Sequence, residues 1–209
     1  MARLQVNPTR IEIRRCKTRL KAAISGHKLL KDKADEMVRR FIDLVREARI
    51  LREDVEKGLT DALKKFAMAR ARSFGEEIEE AVSKPVRPIH IEVSTKSIMG
   101  VSVPVIKLKT AEGPLILPYA LAAAPPELDE AVFGFHAFMD RLLKLAETEK
   151  ACALLAEEIE KTRRRVNALE YIMIPQLQET IRFIQEKLDE NERGALVRLM
   201  KVKSKLESK

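Results

Sequence analysis

The sequence of 209 residues contains no tryptophan, two tyrosines and seven phenylalanines, so aromatic residues make up 4% of it. A chain this poor in large rings has no broad compact core, yet 45% apolar residues are too many for disorder. Glycine is also scarce, and the seven glycines stand singly, which excludes a glycine-rich phosphate loop. No HExxH, GxSxG or CxxC motif occurs. Cys16 and Cys152 lie far apart without the spacing of a metal site and read as small packing residues of a reducing cytoplasm. Apolar runs fall far short of the ~20 residues that span a bilayer. The first 33 residues hold ten basic side chains where a signal peptide would have its apolar region. The expectation is a soluble cytoplasmic protein, free of membrane insertion but able to dock on a membrane complex.

Proline is absent between Pro8 and Pro85, and after Pro126 only Pro175 remains; seven of the nine prolines fall in one stretch of about forty residues. Long helices exclude such a cluster. The sequence therefore divides into a helical segment 1–83, an irregular insert 84–125 and a second helical segment 126–209, together one elongated domain.

The first segment opens on Asn7-Pro8-Thr9, read as a helix cap followed by proline at the first helical position. Apolar residues then recur at alternating steps of three and four: Ile13, Cys16, Leu20, Ala23, His27, Leu30, Ala34, Met37, Phe41, Leu44, Ala48, Leu51, Val55, Gly58 and Ala62. Only His27 and Gly58 break this coiled-coil seam, and its flanks are charged. A helix from about residue 9 to about residue 81 would be roughly 105 Å long. The second segment starts after Pro125-Pro126 with acidic residues that suit a helix N-terminus. Its stripe runs Leu128, Phe135, Phe138, Leu142, Leu145, Glu149, Cys152, Ala156, Ile159, Arg163 and Val166, then shifts register through Leu169, Met173, Leu177, Ile184 and Leu188. Such a shift is a stutter. Pro175 is expected to bend the helix without ending it.

Two seams of matched length most simply close as an antiparallel two-helix coiled-coil hairpin with both termini at one tip; a parallel dimer is the alternative. In the insert, Ile89, Ile91 and Val93 and then Val101, Val103 and Val105 alternate with mostly polar residues, the period of half-buried strands. Lys96 to Gly100 reads as their connection, Pro104 as the mark of an edge strand or bulge, and Gly113-Pro114 as a turn before Leu115-Ile116-Leu117. The fold class is mainly α, with a small β-hairpin element at the tip opposite the termini.

Chemistry is sparse. His27, His90 and His136 have no partner at useful spacing, and neither catalytic residues nor a metal or cofactor is expected. Phe133, Phe135 and Phe138 read as core or docking contacts. The informative signal is where charge lies. Residues 1–33 are net +8, residues 161–209 net +5 and the middle net −5, within a total of +8. A hairpin would gather the two basic ends into one half. Within it, Lys161-Thr162-Arg163-Arg164-Arg165 turns by 100° per residue and would ring the helix with cations, placing Arg163 on the seam at a burial cost.

The blocks Asn7-Pro8-Thr9-Arg10, Gly26 to Lys33, Lys161 to Glu170, Ile174-Pro175, Ile181 to Ile184 and Glu192-Arg193 closely resemble the D subunits of the V-type and A-type rotary ATPases over essentially the whole chain. The resemblance implies a central rotor shaft without a nucleotide site. Its terminus-bearing end would stand in a ring of catalytic A and B subunits, and the remainder would bind the small F subunit of the central stalk and connect to the membrane rotor. By that analogy Arg163, Arg164, Arg165, Asn167 and Glu170 would face the catalytic ring. Leu20, Leu30, Met37, Phe41, Leu44, Leu51, Leu142, Leu145, Ile159 and Val166 would form the seam. The protein would be a peripheral part of the complex that couples ATP hydrolysis or synthesis to proton or sodium transport. A prefoldin-like chaperone is the alternative reading, and a nucleic-acid-binding rod a lesser one, since its basic segments lack stacking aromatics.

Overall fold

The computed structural model describes residues 4–73, 78–79, 83, 90–109, 117, 119 and 125–207. Helix α1 spans Arg10–Arg72, strands β1 and β2 span His90–Ile98 and Val101–Lys109, and helix α2 spans Pro126–Ala168. A π-helical turn, Leu169–Met173, leads into helix α3, Ile174–Glu207. This is a paired-helix protein with a β-hairpin. Gly113-Pro114 and Leu115-Ile116 fall outside the described residues, as does Ile89.

Thr9 caps α1, in place of Asn7: its hydroxyl accepts from the Glu12 backbone N–H at 3.2 Å, and its carbonyl receives the Ile13 N–H at 3.1 Å. Thr-x-x-Glu is the sequence form of a capping box, and it leaves Pro8 outside the helix. At the other end α1 stops at Arg72, short of residue 81, with Arg70 and Arg72 in its last turn.

The chain forms two compact units, residues 1–36 with 159–209 and residues 37–158. In the second unit the helices are antiparallel, since ascending positions on α1 meet descending ones on α2: Arg52 lies 2.6 Å from Glu149 and Lys65 3.0 Å from Glu130, while Arg72 pairs with Glu127. In the first unit Arg10 pairs with Glu192 at 2.6 Å and His27 with Glu170 at 3.2 Å, the same antiparallel order.

Every member of the α1 stripe is buried or half-buried, from Ile13 to Ala62. Met37 is fully buried, and Leu20, Leu30, Phe41, Leu44 and Leu51 are half-buried. At Gly58 the stripe meets the buried Phe138, whose ring would lie 3.4 Å from a Cβ there, at van der Waals contact. Phe135 packs beside Phe138 with ring centroids 5.4 Å apart, whereas Phe133 is exposed.

The inner face of the second segment departs from the expected stripe. Leu145 and Ile159 are half-buried and Val166 is buried, but Leu142 is exposed at 37%. At 100° per residue Leu142 lies about 40° to one side of Phe138, while the inward Leu145 and Thr148 lie about 20° and 80° to the other. Leu155 takes the inner place expected of Ala156, and Thr162 the one expected of Arg163; both are fully buried, at 0% and 2% exposure. Arg163 is exposed. Thr148 and Thr180 tolerate burial because each hydroxyl donates to a carbonyl one turn back, Lys144 at 3.0 Å and Gln176 at 2.7 Å.

The strands pair antiparallel, His90 opposite Lys109 through Ile98 opposite Val101, without a bulge. The connection is only Met99-Gly100, with φ of 54° and 89°, because β1 continues through Lys96 and Ser97. Positive φ at both positions is the two-residue hairpin turn whose twist matches that of the strands.

Candidate functional site

The Lys161 to Glu170 block belongs to the first unit. Its helical phase is set by what faces α1: Thr162 and Val166 are buried and Leu169 is half-buried. A guanidinium at the inner position would lose its hydration, at a cost of several kcal/mol, whereas threonine can bond its own helix. Arg163, Arg164 and Arg165 are therefore all exposed, on an outward arc instead of a full ring. Arg164 pairs with Glu160 along the helix. Arg163 and Arg165 have no carboxylate partner among the described residues. Asn167 is exposed beside them.

Glu170 is also exposed but has a partner on the opposing helix. Its carboxylate lies 3.2 Å from His27 Nε2, and the histidine side chain is only 20% exposed. His27, which breaks the apolar period of α1, is thus the inter-helix partner of Glu170. Its signal in the sequence was the interruption itself.

The π-helical turn follows directly. The Ile174 N–H bonds the carbonyl of Leu169, five residues back. This widening inserts one residue into the helical count at the place where the apolar register shifts. Pro175 follows this turn directly, and the chain stays helical past it. Tyr171, Ile172 and Met173 are carried outward, at 65%, 63% and 49% exposure. Met173 therefore leaves the inner stripe, and beyond it Leu177, Thr180, Ile181 and Ile184 are buried. Leu4 and Thr180 close the site from the N-terminal side, the Leu4 N–H donating to the threonine hydroxyl at 3.1 Å.

Among the described residues no group of three or more His, Cys, Asp or Glu side chains gathers as a metal site would, and no helix is long and apolar enough to cross a membrane. What the site presents is an outward row of cations beside an outward apolar turn on a braced helix. Such a surface belongs to a protein that works by contact with other proteins.

Similarity to known proteins makes that class specific. Residues 12–204 match the family model that describes the D subunit of ATP synthase. The chain is 55% identical over 210 residues to the V-type ATP synthase D subunit of Clostridium novyi (strain NT), covering 99% of this chain and 97% of that one. It is 52% identical to the V-type ATP synthase D subunit of Clostridium botulinum (strain Alaska E43 / Type E3), with both chains fully covered. The chain belongs to the family of V-type ATP synthase D subunits, and so to a rotary ATPase complex, where it partners other subunits. A prefoldin-like identity is set aside by that membership.

Proposed function

We propose that this chain is the central-stalk shaft of its complex, without catalysis of its own, and that it couples ATP hydrolysis or synthesis in a ring of A and B subunits to rotation of the membrane ion-translocating rotor. The F subunit of the central stalk and a membrane-rotor connecting subunit are its further partners. The observation that carries the reading is the outward arc of Arg163, Arg164 and Arg165, held by the buried Thr162 and Val166 in the block that resembles the family's ring-facing segment. A shaft must exchange contacts at every rotary step. Exposed ion pairs worth about 1 kcal/mol or less each permit this, whereas a wide apolar interface would lock one angle. Asn167 adds a neutral polar contact on the same arc. The role of Glu170 is to brace the helix through His27.

Replacing Arg163, Arg164 and Arg165 together by glutamate should lower ATP-driven rotation or its coupling to ion transport in a reconstituted complex. Unchanged torque with normal assembly would show that the arc is not the gripping surface.

A further inference from the structure

The β-hairpin has two edges, and among the described residues only one meets another element. In an antiparallel ladder the N–H and C=O of a given residue point to the same side, and the pairs alternate between bonded and non-bonded. A two-residue turn makes its flanking pair, Ile98 with Val101, a bonded one. The phase then follows along the ladder: Glu92, Ser94 and Lys96 turn their backbone groups toward β2, while Ile91, Val93, Thr95 and Ser97 turn theirs away. Two observations on β2 fix the same phase. Pro104, opposite Thr95, has no N–H to offer, and the Ile106 N–H, opposite Val93, donates instead to the Glu147 carboxylate of α2 at 3.2 Å. The outer edge of β2 thus meets α2. The outer edge of β1 has no backbone partner among the described residues, and its residues His90 to Ser97 are all exposed.

We propose that the free edge of β1 receives an extended segment of another subunit of the complex as a third strand, bonded to the outward amides and carbonyls of Ile91, Val93, Thr95 and Ser97. Open edges of this kind template strand addition unless they are blocked. No proline blocks this one, and it carries Ile91 and Val93 at 49% and 65% exposure on one face. The other face specifies charge. Glu92 is already held by Lys109, whereas Lys96 has no carboxylate partner among the described residues. The incoming strand therefore places apolar residues beside Ile91 and Val93 and an acidic residue beside Lys96. A second copy of β1 fits less well, because Glu92 is its only acid and Lys109 occupies it.

Residue-resolved amide hydrogen exchange tests the proposal, on the isolated chain and on the chain assembled with its cognate subunits. The amides of Glu92, Ser94 and Lys96 should exchange slowly in both states, and those of Ile91, Val93, Thr95 and Ser97 at least about 10-fold more slowly once assembled. Equal exchange of the outward amides in the two states overturns the proposal. So does protection already present in the isolated monomer, which would mean that the chain covers its own edge, or protection that accompanies a concentration-dependent dimer, which would mean a second copy. Thr95→Pro removes an outward N–H at no cost in hairpin bonds, as Pro104 does across the ladder. In the assembled variant Val93 and Ser97 should return to fast exchange while Ser94 and Lys96 stay slow. Protection that survives the proline overturns the proposal, and the wild-type comparison decides the matter even if the variant hairpin melts.

Discussion

The two compact units are built on the same two helical segments but spend their charge differently. The unit of residues 37–158 holds 18 basic and 20 acidic side chains, and several of them tie α1 to α2, as in Arg52 with Glu149, Lys65 with Glu130 and Arg72 with Glu127. The unit of residues 1–36 and 159–209 holds 22 basic and 12 acidic side chains, a net of +10. With acids in the minority, cations there outnumber possible internal partners, and the excess faces outward, as at Arg163 and Arg165. The unit also leaves apolar surface uncovered, on the π-helical turn and along α3, where Leu196, Leu199, Met200 and Leu206 are each more than half exposed. One unit is nearly charge-balanced within itself; the other carries a large positive excess, while both expose apolar side chains. The overall +8 is the property of one unit and not of the chain as a whole.

This contrast can be broken experimentally. The largest effect should follow Thr162→Arg, which forces a cation onto the inner face and should cost about 4 kcal/mol in thermal or denaturant unfolding. Arg163→Thr should change stability by less than about 0.5 kcal/mol, since the arginine is exposed. Equal effects from the two would mean that the helix rotates freely and has no fixed outer arc. Next comes Leu155→Ala, which empties a fully buried position and should cost about 3 kcal/mol, read as faster amide exchange within residues 37–158. Leu199→Ala, at an exposed site of the other unit, should be neutral to stability. If it were not, the outward apolar surface would serve the chain's own folding.

Glu170→Gln should have a smaller effect. It weakens a partly exposed tie and should destabilise the isolated chain by about 0.5 kcal/mol, with faster exchange near the π-helical turn. A silent variant would show that Pro175 and packing hold the turn alone. Last, Cys152 should be a slow thiol. Burial pushes its pKa up, and Glu149 and Glu47 push it further in the same direction, so the neutral form is favoured and little thiolate exists near pH 8. Alkylation followed by mass spectrometry should run several-fold slower than for a free cysteine and speed up as pH rises. Reaction at the free-thiol rate would show that the helices of that unit part readily.

Legibility differed between segments for a physical reason. Along α1 one stripe of threes and fours runs unbroken from Ile13 to Ala62, and inner residues such as Leu20 and Val55 stand between charged neighbours, so the repeat itself picks the face. Along α2 apolar residues are adjacent, as in Leu154-Leu155-Ala156 and Ala151-Cys152, and two rotations of the helix bury similar area. The choice between them fell to the partner helix and to the cost of burying Arg163. Of the residues expected to face a catalytic ring, Arg163, Arg164, Arg165, Asn167 and Glu170 are all exposed, and the pairing of Glu170 with His27 was not legible because it joins two helices. The hairpin was visible as alternation, but its short turn was not, since Met99 at positive φ is an unusual turn residue.

By itself the sequence determined two long helical segments, the inner face of α1, a hairpin between them, the basic ends and the family. These depend on local period, composition and residue identity, which survive without coordinates. Tertiary structure alone decided the rotation of α2, the one-residue widening at Leu169–Met173, the pairing of His27 with Glu170 and the difference between the two edges of the hairpin. Each of those is a choice between local arrangements of nearly equal energy, and only the contacts of the opposing element tell them apart.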